Sequence, residues 1–372
     1  MDKKISLLIL FGGMSSEHEV SRVSAASVLE HIDTGKYEIN TIGITKEGNW
    51  FLTGSPAVHI RDGSWEQDNS NRRALLSPDR SSAGLFAENE RGSFDEIDVD
   101  VVFPVLHGRN GEDGTIQGLL QIAGIPFVGS DTAASAASMD KAITKAMVEQ
   151  AGGVNQARCD VIHRKAFEEA PETEAEAVME FFAGELPLFV KPANAGSSVG
   201  ISKVKKREEL EDALRTAFKE DDKVLVEETI EGREIEVAVL GNDAPQASCI
   251  GEIFAANEFY DYNAKYENDR SETGIVRDLT PEKETEIRSA ALNVYRIMGC
   301  RGLARVDFFL EKSGRVVFNE INTLPGFTHI SMYPKLWQAS GITYSELIDK
   351  LITLALETSK KNTGNDKERG EE

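Results

Sequence analysis

The sequence predicts a mixed fold in which an N-terminal open parallel α/β sheet is followed by α+β units. Three observations predict it. Apolar runs of strand length alternate with helical patterns through the N-terminal third of the 372-residue chain. Glycine-rich loops directly follow two of these predicted strands, and an apolar-rich hairpin pattern marks the C-terminal third. Alternating strands and helices are typical of parallel sheets, which bind ligands at the carboxyl ends of their strands.

The N-terminal third alternates between strand and helix from its first residues. The expected elements are a buried strand at 4–11, a helix at 15–29, strands at 37–44 and 98–104, a helix at 114–123 and a short strand at 125–128. The stretch 54–93 is polar and rich in Gly and Ser, and is interpreted as an insertion with loop structure. The loops at 12–13 and 107–114 follow strands, so we expect them at the ligand-binding edge of the sheet.

Two further units follow this sheet. The first should contain a helix at 140–151, a strand at 186–191, a glycine-rich turn at 194–200, a strand at 201–204, a helix at 207–219 and a strand at 223–228. The second should contain strands at 234–240 and 247–253, a loop at 257–273, a helix at 281–298, a hairpin at 302–321 and a helix at 343–357. We therefore predict a substrate-binding domain at 1–138, a central domain at 139–230, a C-terminal domain at 231–360 and a polar tail at 361–372.

Composition and charge exclude several classes of partner. The net charge of −22 repels nucleic acid and anionic membranes, although a local group of lysines can still hold a nucleotide. No apolar run reaches the roughly 18 residues of a membrane span. Cys159, Cys249 and Cys300 are far apart and form no CxxC pattern, which indicates structural thiols in a reducing compartment. The apolar start runs into Gly12 rather than a cleavage site, so we expect a cytoplasmic protein.

The C-terminal hairpin predicts a metal site. With its Ser-Gly dipeptide as a two-residue turn, Asp307 lies directly opposite Glu320, and Arg305 opposite Asn322. Strand alternation then places all four side chains on one face. Two carboxylates and an amide oxygen at this density suit Mg²⁺ shared with phosphate oxygens. The alternative is a polar face turned to solvent, but two facing carboxylates repel each other unless a cation joins them.

A second segment predicts a phosphate-binding loop. Lys191 ends a strand and precedes a turn that contains Ser197 and Ser198, with neither a Walker A nor a GxGxxG pattern. Glycines allow main-chain N–H groups to approach phosphate oxygens, and the two hydroxyls add donors. Lys191 can neutralise a phosphate, and Lys141 in the preceding helix is a second candidate. The alternatives for these residues, taken alone, are a flexible turn and solvated lysines.

The end of the strand at 223–228 predicts a site for a nucleotide base. It carries Glu227 and Glu228 and continues through Ile230. A main-chain segment of this kind, with an acid nearby, can recognise adenine. Glu234 follows at a distance suited to ribose hydroxyls.

Seven motifs occur along the chain in a fixed order. They are GGMSSEHEVS at 12–21, LHGRNGEDG at 106–114, MDK at 139–141, KPANAGSSVG at 191–200, YNAKY at 262–266, RVD at 305–307 and NEINTLPGFTHISMYP at 319–334. Taken together and in this order, they resemble the motifs of the ATP-grasp superfamily and, within it, of the D-alanine–D-alanine ligases. The resemblance covers nearly the whole chain, from about residue 4 to 357.

The resemblance implies a three-domain ATP-grasp architecture, with ATP held between the central and C-terminal domains. It implies D-alanine and ATP as substrates, two Mg²⁺ or Mn²⁺ ions, and a homodimer that binds neither nucleic acid nor membrane. The residues it assigns to ATP are Lys141, Lys191, Ser198, Glu227, Glu228, Ile230, Glu234, Lys265 and Asn319, and those it assigns to the metal are Asp307, Glu320 and Asn322.

The resemblance also assigns residues to the first D-alanine. Glu17 should hold its ammonium group and form a hydrogen-bonded group with Ser197 and Tyr266. Lys265 should approach the γ-phosphate from a loop at 257–273 that closes over the site and keeps water out. His107 lies in a glycine-rich loop, where it either contacts substrate or caps the turn.

The implied reaction activates a carboxylate by phosphorylation. Arg305 and the N–H of Gly326 should stabilise the anionic oxygen of the reacting carboxyl, and Ser331 should bind the carboxylate of the second D-alanine. Stabilisation of this kind contributes roughly 3–4 kcal/mol in other enzymes. The product would be D-alanyl-D-alanine for peptidoglycan precursors, formed through a D-alanyl phosphate.

Two alternatives remain at this point. Related ligases use D-lactate or D-serine as the second substrate, and Tyr266 favours D-alanine over these. A non-catalytic ATP-binding module is disfavoured because the carboxylates, Arg305 and the lysines are all present.

Overall fold

A computed structural model describes residues 3–82, 84–196, 199–254 and 272–369, apart from the side chains of 272 and 359–369. In these ranges the strands form sheets of seven, four and six strands. Every helix in the same ranges is too short or too polar to cross a membrane.

The N-terminal sheet has the strand order β6-β5-β4-β3-β2-β1-β7. Its strands are β1 Ile5–Gly12, β2 Tyr37–Ile44, β3 Trp50–Leu52, β4 Arg72–Leu76, β5 Gly84–Glu88, β6 Phe94–Asp98 and β7 Val101–Pro104. The helices of this region are α1 His18–His31, α2 Ala57–Asp62, α3 Thr115–Ala123 and α4 Thr132–Met139, and a 3₁₀ turn spans Ser64–Gln67. Apart from Ser6, strand β1 is apolar, and it is almost wholly buried, as expected of a central strand with helices on its faces.

Three predictions for this region are wrong. The sheet is mixed rather than parallel, because only β1 pairs in parallel, with β2 and β7, while β2 to β6 form an antiparallel extension. The stretch 54–93, predicted to be loop, supplies β4, β5 and two helical turns. Both strands have only five residues, and β4 alternates between half-buried and exposed positions, so neither has the long apolar run of a central strand. The predicted strand at 125–128 is reduced to one bridge between Val102 and Phe127, beside Pro126, which has no N–H to donate.

The central sheet has the order β11-β10-β12-β9 and is antiparallel. The elements of this part of the chain are α5 Lys141–Ala151, β8 Asn155–Gln156, β9 Cys159–His163, α6 Arg164–Glu169, α7 Pro171–Phe181, β10 Leu188–Pro192, β11 Ser202–Val204, α8 Leu210–Ala217 and β12 Lys223–Glu228. Of these, the short β8 belongs to the third sheet. The helix predicted at 207–219 is divided into a 3₁₀ turn at Arg207–Glu209 and α8. Strand β9 and helices α6 and α7 were not predicted.

The third sheet has the order β15-β14-β13-β16-β17-β8. Its elements are β13 Gly232–Leu240, β14 Gln246–Phe254, β15 Glu272–Ile275, α9 Pro281–Ile297, β16 Leu303–Glu311, β17 Val316–Asn322, α10 Met332–Ala339 and α11 Tyr344–Arg369. Helix α10 was not predicted, and α11 continues past its predicted end at 357 into the predicted polar tail. Most of the predicted loop at 257–273 lies outside the described residues, and its last two residues begin β15.

The polar end of the β16–β17 hairpin has the predicted pairing. Asp307 pairs with Glu320, and Arg305 with Asn322. Closer to the turn, Phe308 pairs with Phe318 instead, which shifts the register by one residue. The extra residue is Asn319, which therefore forms a β-bulge.

The predicted two-residue Ser313-Gly314 turn is wrong. The N–H of Glu311 donates to the carbonyl of Arg315 at 3.0 Å, so three residues form the loop. Gly314 has φ of 86°, the left-handed conformation that such loops place on glycine. The longer loop shifts the register by one residue and the bulge shifts it back, so the predicted pairs are correct at the polar end only.

One apolar core joins the first and third sheets. Leu7 and Phe103 from the first sheet, Leu240 from the third, and Leu347 and Leu351 of α11 are all buried in it. Burial of such side chains is the main source of stability for a fold of this size. The last helix therefore holds the two sheets together on either side of the cavity.

Candidate active site

A cavity of about 830 Å³ lies where the three sheets meet. Every predicted site residue that the structure describes lines this one cavity. These residues are Glu17, His107, Lys141, Lys191, Glu227, Glu228, Ile230, Glu234, Arg305, Asp307, Asn319, Glu320, Asn322, Gly326 and Ser331. The other four predicted residues, Ser197, Ser198, Lys265 and Tyr266, lie outside the described residues.

Glu17 lies at the start of α1, where the turn after β1 brings it over the edge of the N-terminal sheet. Glu17 is buried, with 7% of its surface exposed. Two glycines make room for it, because a Cβ atom on Gly108 or Gly196 would lie 2.7 or 2.9 Å from its Oε2. Gly108 also has φ of 68°, which favours glycine. A buried carboxylate at this position suits an ammonium group as its ligand.

Glu112 is a site residue that the sequence analysis did not assign. The N–H of Gly108 donates to its Oε2 at 2.7 Å, and its side chain lines the cavity. Burial raises the pKa of Glu112, the negative charge of Glu17 raises it further, and the pKa reaches about 8. The protonated form of Glu112 is therefore favoured beside Glu17. Its position inside the glycine-rich loop was the available signal, and only His107 was considered there.

His107 connects the N-terminal sheet to the loop that contains Gly326. Its Nδ1 lies 3.0 Å from the carbonyl of Leu324, which can only accept, so Nδ1 carries the proton. Its Nε2 then accepts from the hydroxyl of Ser24 at 3.0 Å, and Ser24 accepts the N–H of Phe327 at 3.2 Å. Burial lowers the pKa of His107, against the opposing charge of Glu17, which favours the neutral ring. The ring thus positions the loop on both sides of Gly326.

Ser331 lies immediately before α10, where the helix N-terminus provides partial positive charge. Its Oγ accepts the N–H of Thr328 at 3.0 Å and lies 2.8 Å from the Thr328 hydroxyl. A Cβ on Gly326 would lie 2.8 Å from the same oxygen, so Gly326 lets the two segments approach closely. This corner of the cavity suits a carboxylate.

Arg305 and Asp307 occupy alternate positions on β16. The guanidinium donates to both carboxylate oxygens of Asp307, at 2.8 and 2.7 Å, and its Nε lies 3.2 Å from Oε1 of Glu236. Burial lowers the pKa of Arg305, but Asp307 and Glu236 together hold it well above the usual value. Asn322 donates to Asp307 at 3.1 Å. Arg305 is therefore a fixed, permanently charged donor at the centre of the cavity.

Glu236 was missed by the sequence analysis. It is buried on β13, one position along the same face from Glu234, and between apolar residues that enter the core. An acid at alternate positions of an otherwise apolar strand is the signal that could have identified it.

Lys141 and Lys191 lie at the end of the cavity where phosphate groups are predicted to bind. Lys141 donates from Nζ to the carbonyl of Ala195 at 3.0 Å, and the same atom lies 3.5 Å from Oε2 of Glu320. Lys191 donates to Oε2 of Glu227 at 2.6 Å and to Oδ1 of Asn319 at 3.4 Å. Two cations therefore lie beside the bulged strand that carries Asn319 and Glu320.

Lys145 is a third lysine of the site, and the sequence analysis did not assign it. Its Nζ lies 2.9 Å from Oε1 of Glu227, and both side chains are 5% exposed. Burial alone would raise the pKa of Glu227, but the charges of Lys145 and Lys191 hold it at about 2. Lys145 follows Lys141 by four residues on α5, the spacing that puts two side chains on one helix face.

The remaining residues that the sequence predicts to contact the nucleotide line the cavity between β12 and β13. Glu228 is held from outside by Arg158, whose Nε lies 2.9 Å from its Oε2. Ile230 follows β12, and Glu234 pairs with Ile253 of β14. A strand end followed by a half-buried acid can present main-chain and carboxylate groups to a nucleoside.

The donor set at the hairpin fits a hard divalent cation. In the described ranges, three or more His, Cys, Asp or Glu side chains nowhere gather closely enough to hold a metal by themselves. The hairpin instead supplies two facing carboxylates, Asp307 and Glu320, and the amide oxygen of Asn322. That set suits Mg²⁺ when phosphate oxygens complete the coordination shell.

Two solved structures share this fold over nearly the whole chain. The VanG D-Ala:D-Ser ligase from Enterococcus faecalis is 41% identical, with a TM-score of 0.84, over 95% of this chain and 100% of that one. The D-alanine–D-alanine ligase from Coxiella burnetii is 34% identical, with a TM-score of 0.86, over 98% of this chain and 97% of that one. The fold is therefore that of an ATP-grasp ligase, and the predicted fold class is confirmed.

The family within that class follows from sequence. The family described as D-ala D-ala ligase N-terminus matches residues 6–130, and D-ala D-ala ligase C-terminus matches residues 148–353. The D-alanine–D-alanine ligase B of Clostridium tetani is 50% identical over 95% of this chain and 94% of its own length. The D-alanine–D-alanine ligase of Acetivibrio thermocellus is 48% identical over 97% and 98%. The chain belongs to the D-alanine–D-alanine ligase family of ATP-dependent enzymes.

Proposed function

We propose that the chain joins two D-alanine molecules into D-alanyl-D-alanine, with ATP converted to ADP and phosphate, for peptidoglycan precursors. The observation that carries this proposal is the single cavity. It holds a buried acid for an ammonium group, a helix N-terminus for a carboxylate, a central arginine and three lysines beside a pair of facing carboxylates. These are the groups needed to bind two amino acids end to end beside a polyphosphate.

The first half-reaction phosphorylates the first D-alanine. Glu17 holds its ammonium, so its carboxylate is directed towards Arg305. A carboxylate oxygen attacks the γ-phosphorus, the bond to the bridging oxygen breaks, and ADP leaves. Lys141 and Lys191 offset the negative charge of the phosphates. Mg²⁺ or Mn²⁺, two ions held by Asp307, Glu320 and Asn322, would supply charge neutralisation for the phosphoryl group.

The second half-reaction forms the peptide bond. Ser331 and the N-terminus of α10 hold the carboxylate of the second D-alanine, so its amine faces the acyl phosphate. The nitrogen attacks as the neutral amine, the carbon–oxygen bond breaks and phosphate leaves with that oxygen. The nitrogen then loses one proton to solvent or to the departing phosphate and keeps the other as the amide N–H. Arg305 and the N–H of Gly326 stabilise the oxyanion. His107 contributes by positioning the loop of Gly326 rather than by contacting substrate.

The nucleotide base is assigned to the end of β12, with Glu227, Glu228 and Ile230 around adenine and Glu234 at the ribose. Asn319 orients Lys191. The roles assigned to Ser197, Ser198, Lys265 and Tyr266 stay predictions, because these residues lie outside the described ranges. The domain boundaries at 1–138, 139–230 and 231–360 likewise stay predictions.

D-Serine is the second candidate for the second substrate, because one relative of known structure is a D-Ala:D-Ser ligase. The described wall beside Ser331 contains the apolar side chains of Ile330 and Met332. An apolar wall suits the methyl group of D-alanine better than the hydroxymethyl group of D-serine, which would lose hydrogen bonds to water there. D-Alanine is therefore the proposed second substrate.

Product analysis tests the choice of substrate. The purified protein, ATP and Mg²⁺ are incubated with D-alanine alone, with L-alanine, and with D-alanine mixed with D-serine or D-lactate. D-Alanyl-D-alanine is expected as the main product in every mixture that contains D-alanine. A main product with D-serine or D-lactate at neutral pH would contradict the choice of second substrate, and product from L-alanine would contradict the role of the first site.

We further propose a homodimer in the cytoplasm. The homodimer is implied by the family resemblance. Light scattering after size-exclusion chromatography measures its mass, and a mass of about one chain, 40.8 kDa, would contradict the homodimer. The cytoplasm supplies the ATP that the reaction consumes, and it keeps thiols reduced, which agrees with three free cysteines.

A further inference from the structure

We propose that Asp140 is a positioning residue for Lys141: its carboxylate joins the start of α5 to the central sheet and so holds the Lys141 ammonium at the phosphate end of the cavity. The proposal rests on the proposed function, because it assumes that Lys141 contacts the nucleotide. Asp140 itself lines no part of the described cavity.

The two carboxylate oxygens of Asp140 bind two different parts of the structure. Oδ1 accepts the N–H groups of Ala142 and Ile143, both at 3.0 Å, and so caps helix α5. Oδ2 accepts from the ammonium of Lys223, at the start of β12, and from Nδ2 of Asn194 at 3.4 Å. One side chain therefore links the helix to the sheet.

This link is buried. Asp140 is 6% exposed, and its side chain forms an ion pair with Lys223, whose side chain is 22% exposed. A buried charge pair held by further hydrogen bonds is costly to break from one side only, because the remaining charge stays out of water. The geometry around Asp140 is thus strongly specified.

The loop after β10 fixes Lys141 at both of its ends. The N–H of Lys141 donates to the carbonyl of Ala193 at 3.0 Å, and its Nζ donates to the carbonyl of Ala195 at 3.0 Å. Ala193 in turn donates its N–H to the carbonyl of Lys223 at 2.9 Å. Asp140, Lys141 and Lys223 are therefore parts of one hydrogen-bonded unit, which fixes the direction of the lysine side chain.

Capping alone does not explain this arrangement. Asp131 caps the neighbouring helix α4 by accepting the N–H of Ala134 at 3.0 Å. Asp140 caps α5 and also binds Lys223 and Asn194. The second set of contacts lies on the side of the loop that reaches Lys141, which indicates a role in placing that lysine.

The test separates the ion pair from the helix cap. Asp140→Asn keeps an oxygen for the helix N–H groups but loses the ion pair with Lys223, and Lys223→Met removes the same pair from the other side. Binding of ADP without metal is measured by isothermal titration calorimetry, and KM for ATP and for D-alanine by phosphate release. Asp131→Asn is the matched control for loss of a capping charge.

Asp140→Asn and Lys223→Met should each weaken ADP binding roughly tenfold, as expected when a hydrogen bond to a charged group is lost. The double variant should be no weaker than either single variant, since both remove the same contact. KM for ATP should rise while KM for D-alanine stays within twofold, and Asp131→Asn should bind ADP like the wild type.

Three results would overturn the proposal. If Asp140→Asn and Lys223→Met bind ADP normally while Lys141→Met binds weakly, Asp140 does not position Lys141, and the proposed function is unaffected. If Asp140→Asn binds weakly but Lys223→Met binds normally, the ion pair with Lys223 is not responsible, and the proposed link to the sheet does not position Lys141. If Lys141→Met itself binds ADP normally, the role of Lys141 in the proposed function fails, and the positioning role fails with it.

Discussion

Replacement of Lys145 by methionine should lower both the stability of the enzyme and its affinity for ATP. Lys145 and Lys191 bind the two oxygens of Glu227 at 2.9 and 2.6 Å. Lys145 and Glu227 are each 5% exposed in their side chains, so this is a buried charge group rather than a surface ion pair. Methionine keeps the length and the apolar stem but removes the charge.

The size of the effect follows from this burial. Removing one partner of a buried ion pair costs about 3–5 kcal/mol, because the other charge stays buried. Lys191 remains beside Glu227, so the lower limit of about 3 kcal/mol applies. For a cooperative chain of 372 residues this corresponds to a fall in Tm of about 4 °C. KM for ATP should rise as well, because Glu227 lies where adenine is proposed to bind.

The effect should depend on pH in a defined direction. The pKa of Glu227 is about 2, lowered by the two lysines against the effect of burial. Its contribution to stability is therefore complete above the unfolded value of 4.5 and is lost as pH falls through about 2. In Lys145→Met the pKa of Glu227 rises, so the difference in Tm between variant and wild type should be smaller at pH 3 than at pH 7.

Differential scanning calorimetry at pH 7 and pH 3 measures both quantities. Lys36→Met is the matched control, because Lys36 pairs with Asp349 at the exposed surface, where an ion pair contributes little. A fall in Tm no larger than that of the control would refute the reasoning, since the buried pair would then contribute nothing.

Three further predictions follow from the site. Glu112→Gln should reduce the loss of Tm between pH 5 and 8. In the wild type, burial and Glu17 raise the pKa of Glu112 to about 8, so the folded chain keeps a proton that the unfolded chain releases. The stability of the wild type therefore falls as pH rises through this range, and the variant lacks the group responsible. Ser24→Ala should lower kcat about tenfold, since the loop of Gly326 loses a hydrogen bond, and an unchanged kcat would contradict this. Glu320→Gln should lower kcat on the order of 10²-fold and raise the Mg²⁺ needed for half-maximal rate, and an unchanged Mg²⁺ requirement would remove Glu320 from the metal site.

The sequence predicted much of the site because its motifs follow predicted strands. The carboxylates of the hairpin, for instance, were identified from strand alternation and an assumed two-residue turn. That success depended partly on two errors that cancel, since the loop is one residue longer than predicted and Asn319 forms a bulge. Local turn signals give a loop's position better than its length, and bulges leave no clear signal in one sequence.

Other parts of the site could not be predicted because their roles depend on tertiary contacts. Lys145 is one lysine among many until Glu227 is placed beside it across the cavity. The raised pKa of Glu112 likewise depends on burial and on Glu17, which is 95 residues away in the chain. In the N-terminal sheet, the edge strand β6 was missed because it exposes most of its residues and lacks an apolar face.

Transfer of oxygen from D-alanine to phosphate tests the central claim most directly. The enzyme is incubated with ATP, Mg²⁺ and D-alanine labelled with ¹⁸O in both carboxylate oxygens, and the products are analysed by mass spectrometry. Formation of D-alanyl phosphate predicts one ¹⁸O atom in the phosphate released for each D-alanyl-D-alanine formed, because the carbon–oxygen bond breaks when the amine attacks. Phosphate without ¹⁸O, alongside dipeptide formation, would contradict the acyl-phosphate route, and phosphate release without dipeptide would contradict the proposed function itself.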